Sequence, residues 1–255
     1  MKAHLLVISL AVVMFGFSCK KSEVTTNDFA CDKTAKIARQ SFGDLAMVVE
    51  YNSGKISKVY RADGKGLTEN YTYKSPTEVT ITRNFSDGSI GNTFNGLLND
   101  KGYFLRFVAV DNTNGYSITN TYDTEGFLLT SNSSYMSDAA SNSNATYTYA
   151  NGNLIQEKNA KPNNTVNYTV DYTYYEDKMN KIDLISNQNR PGMNGKFSKN
   201  LIKTIKYTYP DKTTEMYEYT YIQNTNGFVT SLTEKYTNKE AKTSTQTNKY
   251  EYVCL

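Results

Sequence analysis

The side chains that usually carry catalysis are nearly missing from this chain. There is one histidine, His4, and there are three cysteines, Cys19, Cys31 and Cys254, among 255 residues. His4 lies in an amino-terminal stretch that reads as a cleaved leader, which leaves the mature chain without histidine. That removes Ser-His-Asp and Cys-His nucleophilic machinery and every histidine metal site. No thiolate cluster is left to hold a cofactor, and the glycines fall singly at turns instead of forming a phosphate-cradling loop. Asp111-Asn112-Thr113-Asn114-Gly115 has the look of a calcium loop but lacks the downstream bidentate glutamate, so a hairpin turn is expected there. Carboxylate-pair hydrolysis is compatible with the 25 acidic residues, yet no pair stands out. Glu215 and Glu218 flank a tyrosine strand at an odd offset, which places them on opposite faces as ordinary strand charges. The expectation is a protein that is not an enzyme, with no catalytic, cofactor or metal residues.

What the chain has in quantity is tyrosine: 22 of them, with no tryptophan. They are organised around Leu201–Tyr221. Ile205, Tyr207 and Tyr209 alternate with Lys206 and Thr208, Pro210-Asp211-Lys212 turns, and Tyr217, Tyr219 and Tyr221 alternate with Glu218 and Thr220. A period of two sends successive side chains to opposite faces, so this is a β-hairpin with one aromatic and one polar face. Tyr217, Tyr219 and Tyr221 are the candidate ligand contacts, because tyrosine rings stack on glycans. The competing expectation is that most of these rings simply form the core, with their hydroxyls reaching the rim.

The rest of the chain is built of looser copies. Lys33–Gln40 reads as one or two helical turns with a thin apolar stripe, inside an irregular segment 19–44. Alternation begins at Leu45 and recurs between Asn/Asp-Gly turns at Asn52-Ser53-Gly54, Asp87-Gly88, Asn114-Gly115, Asn151-Gly152 and Asn226-Gly227. Tyr103–Val110 is apolar on both faces and predicts a strand covered on both sides. Ser186–Asn200 lacks alternation and predicts a long loop or short helix. The fold class is all-β: one domain over 45–255, an antiparallel meander of about 12–16 strands curled into an open or partly closed barrel.

Lys2 followed by the 13-residue apolar run Leu5–Phe17 has the form of a secretory signal and is too short for a transmembrane helix. The run ends at Gly16-Phe17-Ser18-Cys19, which resembles the lipobox of bacterial lipoproteins, with Met1–Ser18 removed and Cys19 acylated. Lys20–Asn27 then serves as a polar stalk. Such a protein is expected in the cell envelope, lipid-anchored, at the outer membrane. The mature chain keeps 27 basic and 25 acidic residues, a net charge of +2, which excludes a nucleic-acid partner. Cys31 and Cys254 lie near opposite ends of the mature chain in a compartment that permits disulfides. Two free thiols and a bridge tying the last strand to the first both remain open.

A degenerate repeat runs through the meander: Tyr51…Gly54…Ile56, Tyr122-Asp123…Gly126…Leu128, Tyr149…Gly152…Leu154 and Tyr221…Gly227…Val229. Tyr122-Asp123 with Gly126 and Leu128 resembles the YD repeat of large bacterial toxin shells. The acylated amino terminus, the tyrosine hairpins and Ser198-Lys199-Asn200-Leu201-Ile202 before a YTY strand resemble a domain-of-unknown-function family of Gram-negative, Bacteroidota-type lipoproteins with a porin-like fold. The resemblance implies a large curled antiparallel sheet and carries no activity or site residues. A membrane-spanning barrel is disfavoured, because many alternating segments are shorter than a membrane strand requires. Three functions follow in order: a non-catalytic binding module for a glycan or protein, a half-barrel carrier of an apolar or lipidic ligand, and a carboxylate-pair hydrolase.

Overall fold

The computed structural model describes residues 35–110, 115–181 and 193–254. Among them, sixteen strands follow one another as an antiparallel meander: β1 (Ala35–Phe42), β2 (Leu45–Asn52), β3 (Lys55–Arg61), β4 (Thr68–Ser75), β5 (Glu78–Asn84), β6 (Ile90–Leu98), β7 (Phe104–Ala109), β8 (Ser117–Tyr122), β9 (Leu128–Ser134), β10 (Ser143–Ala150), β11 (Asn153–Ala160), β12 (Val166–Met179), β13 (Asn200–Thr208), β14 (Thr214–Gln223), β15 (Val229–Thr237) and β16 (Thr243–Cys254). β1 pairs with β16, Ala35 opposite Cys254 and Gln40 opposite Tyr250, so the sheet closes completely. Closure leaves no sheet edge, and with it no row of unpaired backbone groups.

Three expectations are corrected here. The barrel, expected as open or partly closed, closes completely. Ala35–Phe42 is a strand where a helical turn was expected, and the β domain therefore begins ten residues before Leu45. Its thin apolar stripe is that of a strand, with Ile37 and Gln40 turned inward around a bulge. Third, β7 is covered on one face only. Phe104, Phe107 and Ala109 are buried, Arg106 is exposed, and Leu105 and Val108 are half-buried. A register shift against Leu97/Leu98 gives β7 an extra residue, which turns two phenylalanines three positions apart to the same side.

Cross-strand pairing carries one face continuously around the barrel. Tyr71 lies opposite Ile81, Ile81 opposite Phe94, and Phe94 opposite Ala109. On the other side of the barrel Tyr172 faces Ile205, Ile205 faces Tyr217, and Tyr217 faces Tyr236. This is the inner face, and it packs as two clusters. One gathers Val59, Ile81, Phe94 and Phe107; the other gathers Val170, Leu201, Tyr219, Leu232 and Tyr250. The outer face is mostly threonine, lysine and glutamate, with Leu97, Leu129, Ile155 and Ile222 exposed singly among them. Thr173 and Thr204, Thr121 and Thr130, and Thr233 and Thr247 share hydroxyl hydrogen bonds of 2.7, 2.7 and 3.1 Å across exposed strands. Lys235 Nζ meets Glu218 Oε2 at 2.7 Å there. A lipid-embedded barrel needs an apolar outer band and accepts a polar lumen; this barrel has the opposite polarity.

The two ends differ. Both terminal strands reach the same end, where the turns β6–β7, β8–β9 and β14–β15 share one construction. Asn99, Asp123 and Asn224 each accept two backbone N–H bonds, from Lys101 and Tyr103, from Gly126 and Phe127, and from Asn226 and Phe228. A glycine with positive φ and then an aromatic residue complete each turn. The aromatics, Tyr103, Phe127 and Phe228, stack on Tyr122, Tyr149 and Tyr252 at 5.5, 4.7 and 5.4 Å between centroids. Two of these turns, Tyr122…Gly126 and Tyr221…Gly227, are repeats seen in the sequence; the β6–β7 turn was not among them.

Candidate functional site

The inner faces of β8 to β13 do not meet across the lumen, and a cavity of about 350 Å³ remains between them. Its wall is built from Ile118, Asn120, Leu128, Ser131, Tyr147, Tyr149, Leu154, Glu157, Tyr172, Tyr174, Ile202, Ile205 and Tyr207. The segment 193–199 closes it at the end of the barrel that carries Tyr103, Phe127 and Phe228. Met193 O accepts from Phe104 N at 2.8 Å, Lys196 N donates to Gly126 O at 2.8 Å, and Lys199 N donates to Gly152 O at 2.9 Å. Ser198 Oγ accepts from Leu154 N at 3.0 Å and lies 3.0 Å from Tyr174 Oη. The segment Ser186–Asn200, expected as a loop or short helix, is irregular over 193–199; residues 182–192 lie outside the described residues.

Gly195 is the position that allows this cover to lie flat. Its φ is +108°, and a Cβ there would sit 2.8 Å from the Tyr122 ring and 3.0 Å from Gly126 O. Gly195→Val is therefore expected to lift the segment, at a strain of roughly 1–3 kcal/mol. Trypsin should then cut after Lys196 and Lys199 faster than in the parent protein, with the barrel itself still folded by circular dichroism.

Glu157 is the one carboxylate of the cavity wall. It stands directly across from Tyr147 on β10 and Val170 on β12. Tyr172 donates to its Oε2 at 3.3 Å and Tyr168 to its Oε1 at 3.5 Å. Among the described residues no lysine or arginine forms an ion pair with it. The lysine of the cavity wall, Lys196, places Nζ 3.0 Å from Glu125 Oε2 and 4.4 Å from the centre of the Phe127 ring. Burial pushes the Glu157 carboxyl above its ordinary range, and the Tyr172 and Tyr168 hydrogen bonds only partly oppose this. Burial likewise raises Tyr168, to about 12, and pushes up the hydroxyls of Tyr147, Tyr172 and Tyr207.

A raised carboxyl pKa means that folding favours the neutral acid. The associated stability is fully present below the unfolded value and is lost as pH rises through the folded one. Glu157→Gln removes that titration while keeping the shape. The variant is therefore expected to gain stability over the parent between about pH 4 and about pH 8, read as the difference in urea midpoints at the two values.

Asn120, Asn180 and Asn194 also border the cavity. Asn120 is 8% exposed and its Nδ2 donates to Phe104 O at 3.0 Å and Tyr122 Oη at 3.3 Å. Asn180 Nδ2 donates to Ser198 O at 3.1 Å. In Asn120 and Asn180, the carbonyl bond fixes which way the amide points. Asn120 Oδ1 and Asn180 Oδ1 are then buried with no hydrogen-bond partner.

The candidate contacts Tyr217, Tyr219 and Tyr221 face the same lumen but belong to its second packed cluster. Tyr219 is 4% exposed; Tyr221 Oη donates to Ile202 O at 2.7 Å; and Tyr217 lies 4.7 Å from Tyr236 and 6.0 Å from Tyr207, ring to ring. Of these neighbours, Ile202 and Tyr207 line the cavity. Glu215 and Glu218 do fall on opposite faces, Glu218 outside with Lys235 and Glu215 beside the hydroxyls of Tyr209 and Tyr236. Cys254 is disulfide-bonded. Cys19, Cys31 and Asp111–Asn114 lie outside the described residues. Glu157 and Asn120 escaped the sequence reading. The signal for Glu157 was its place opposite Tyr147 across the Asn151-Gly152 turn, obscured by a bulge.

No family model matches the chain. No curated protein matches it either. Solved structures do. A porin-like protein from Bacteroides uniformis ATCC 8492 superposes with a TM-score of 0.65 at 18% identity, over 89% of this chain and 99% of the other. A porin-like protein from Bacteroides vulgatus ATCC 8482 superposes with a TM-score of 0.52 at 13% identity, over 86% and 99%. At these identities the likeness is one of fold: a closed antiparallel barrel shared with two Bacteroides proteins.

Proposed function

We propose that this protein is a non-catalytic binding protein that holds a small ligand inside its barrel, tethered to the cell envelope through acylated Cys19. The observation that carries the reading is the capped cavity of about 350 Å³, walled by five tyrosines, Glu157 and Asn120. That volume is at the lower end of small-molecule sites and suits one ring or a short chain. The many hydroxyls and amides of the wall favour a compact polar or amphipathic ligand over a lipid tail. The outward threonines and lysines support a water-facing barrel over a pore in lipid. The tether, the Bacteroidota-type lipoprotein assignment and the outer-membrane location rest on Lys2–Cys19 and on the resemblance of the hairpins.

Mass spectrometry of the full-length protein, purified from its own envelope and then denatured, is expected to release a small molecule in about equimolar amount. Ser131, on the inner face of β9 opposite Asn120, is replaced by tryptophan to fill the cavity. Ser131→Trp should abolish that release; equal release from the filled barrel would reject the lumen as the site. Cys19→Ser should move the protein from the membrane to the soluble fraction, and unchanged fractionation would reject the tether.

A further inference from the structure

The cavity wall holds one carboxylate, Glu157, and its surroundings identify a ligand class. The Glu157 carboxylate has only two long tyrosine hydrogen bonds, 3.3 and 3.5 Å. Among the described residues no lysine or arginine forms an ion pair with it. Lys196, which also borders the cavity, pairs with Glu125 instead. A carboxylate short of partners inside a built cavity asks for a donor that carries positive charge.

We infer that the lumen takes a small organic cation that carries N–H groups, a primary ammonium or a guanidinium, with Glu157 as its counter-ion. This rests on the lumen being the binding site. Charge-assisted N–H bonds to a carboxylate are about twice as strong as neutral ones. The rings of Tyr147, Tyr149, Tyr172, Tyr174 and Tyr207 supply negative faces and apolar area around the same space. Every group that faces Glu157 from the neighbouring strands is compatible: Tyr147 on β10, Tyr168 and Tyr172 on β12, and Tyr207 on β13 are neutral at physiological pH. Lys196, from the covering segment, is held by Glu125. An anion would be repelled by the carboxylate, and a quaternary ammonium would bring it no N–H. The burial that disfavours the Glu157 carboxylate is relieved when a cation lies against it.

Four probes of equal chain length separate these cases: hexylammonium, hexan-1-ol, hexanoate and hexyltrimethylammonium, titrated calorimetrically into the delipidated full-length protein and into its Glu157→Gln variant. Hexylammonium is expected to bind at least about tenfold more tightly than hexan-1-ol and more tightly than the trimethyl analogue. Glu157→Gln should bring the ratio of hexylammonium to hexan-1-ol affinity close to one. Because Glu157 must ionise to receive the ammonium, binding below its raised pKa should also release protons, seen as a heat that changes with buffer. Equal binding of the amine and the alcohol, or a preference that survives Glu157→Gln, would overturn the cationic class and leave the lumen as a neutral site. Failure of all four probes to bind would overturn the class together with the lumen reading.

Discussion

Glu69→Ala is expected to cost the barrel about 3 kcal/mol, the low end of the roughly 3–5 kcal/mol seen when one partner of a buried ion pair is removed. Glu69 is 7% exposed on the inner face of β4. Its Oε1 accepts from Arg83 Nε at 2.8 Å and pairs with Nη2 at 2.8 Å, while its Oε2 accepts from Tyr71 Oη at 2.7 Å. The Arg83 guanidinium also lies 4.8 Å from the centre of the Phe94 ring. Truncation would strand a guanidinium and a tyrosine hydroxyl against Ile81 and Phe94, with no carboxylate to receive them. The estimate is set low because the Arg83 side chain is 32% exposed and water reaches part of it. Removing both charges, Glu69→Leu with Arg83→Met, should return most of the loss, because desolvating the pair offsets its Coulombic attraction. Urea midpoints of the two single variants and the double variant form the cycle that measures the coupling. A single-variant loss below about 1 kcal/mol would show that the pair is solvated like a surface bridge.

This ion pair, like Glu157, shows which part of the molecule was legible in the sequence. Period-two alternation gave the strands, the two faces and the positions of the turns, because all three are local properties of the chain. It gave Tyr207, Tyr217 and Tyr219 on one face and Lys206, Glu218 and Thr220 on the other. Closure was not legible, since pairing of Ala35–Phe42 with Thr243–Cys254 joins segments about 200 residues apart. Nor were the polar residues inside. Leu154 and Glu157 are three residues apart, and strict alternation sends them to opposite faces. The register shift between Thr148 and Tyr149 absorbs one residue of β11 and turns both into the lumen. The same device between Thr121 and Tyr122 places Leu128 and Ser131 together on the cavity wall. The bulges that build the site are what concealed it.

Tyr219→Ala is expected to cost roughly 3–5 kcal/mol, the range for deleting a fully packed aromatic side chain. The ring is 4% exposed within the cluster of Val170, Leu201, Ile205, Leu232 and Tyr250. It runs parallel to Tyr217 at 6.4 Å between centroids, and its hydroxyl bonds Glu234, whose carboxyl burial pushes upward. Truncation therefore opens a cavity and strips a half-buried carboxyl of a donor at the same time. Tyr219→Phe separates the two effects. It keeps the ring and loses the hydrogen bond, for about 1–2 kcal/mol. Tyr217, half-buried and stacked on Tyr236, should lose less on truncation than Tyr219. That ordering distinguishes the two roles open to the Tyr217–Tyr219–Tyr221 row. A ring that works as a contact surface gives up binding without stability, whereas a ring that fills the barrel gives up stability first. Denaturant midpoints for Tyr217→Ala, Tyr219→Ala and Tyr221→Ala, set beside amine titrations at temperatures where each variant is folded, read both quantities on the same samples. Midpoints within about 1 kcal/mol of the parent for Tyr219→Ala would show that the second cluster is held by its aliphatic members alone. The tyrosine row would then stand free to serve as binding surface.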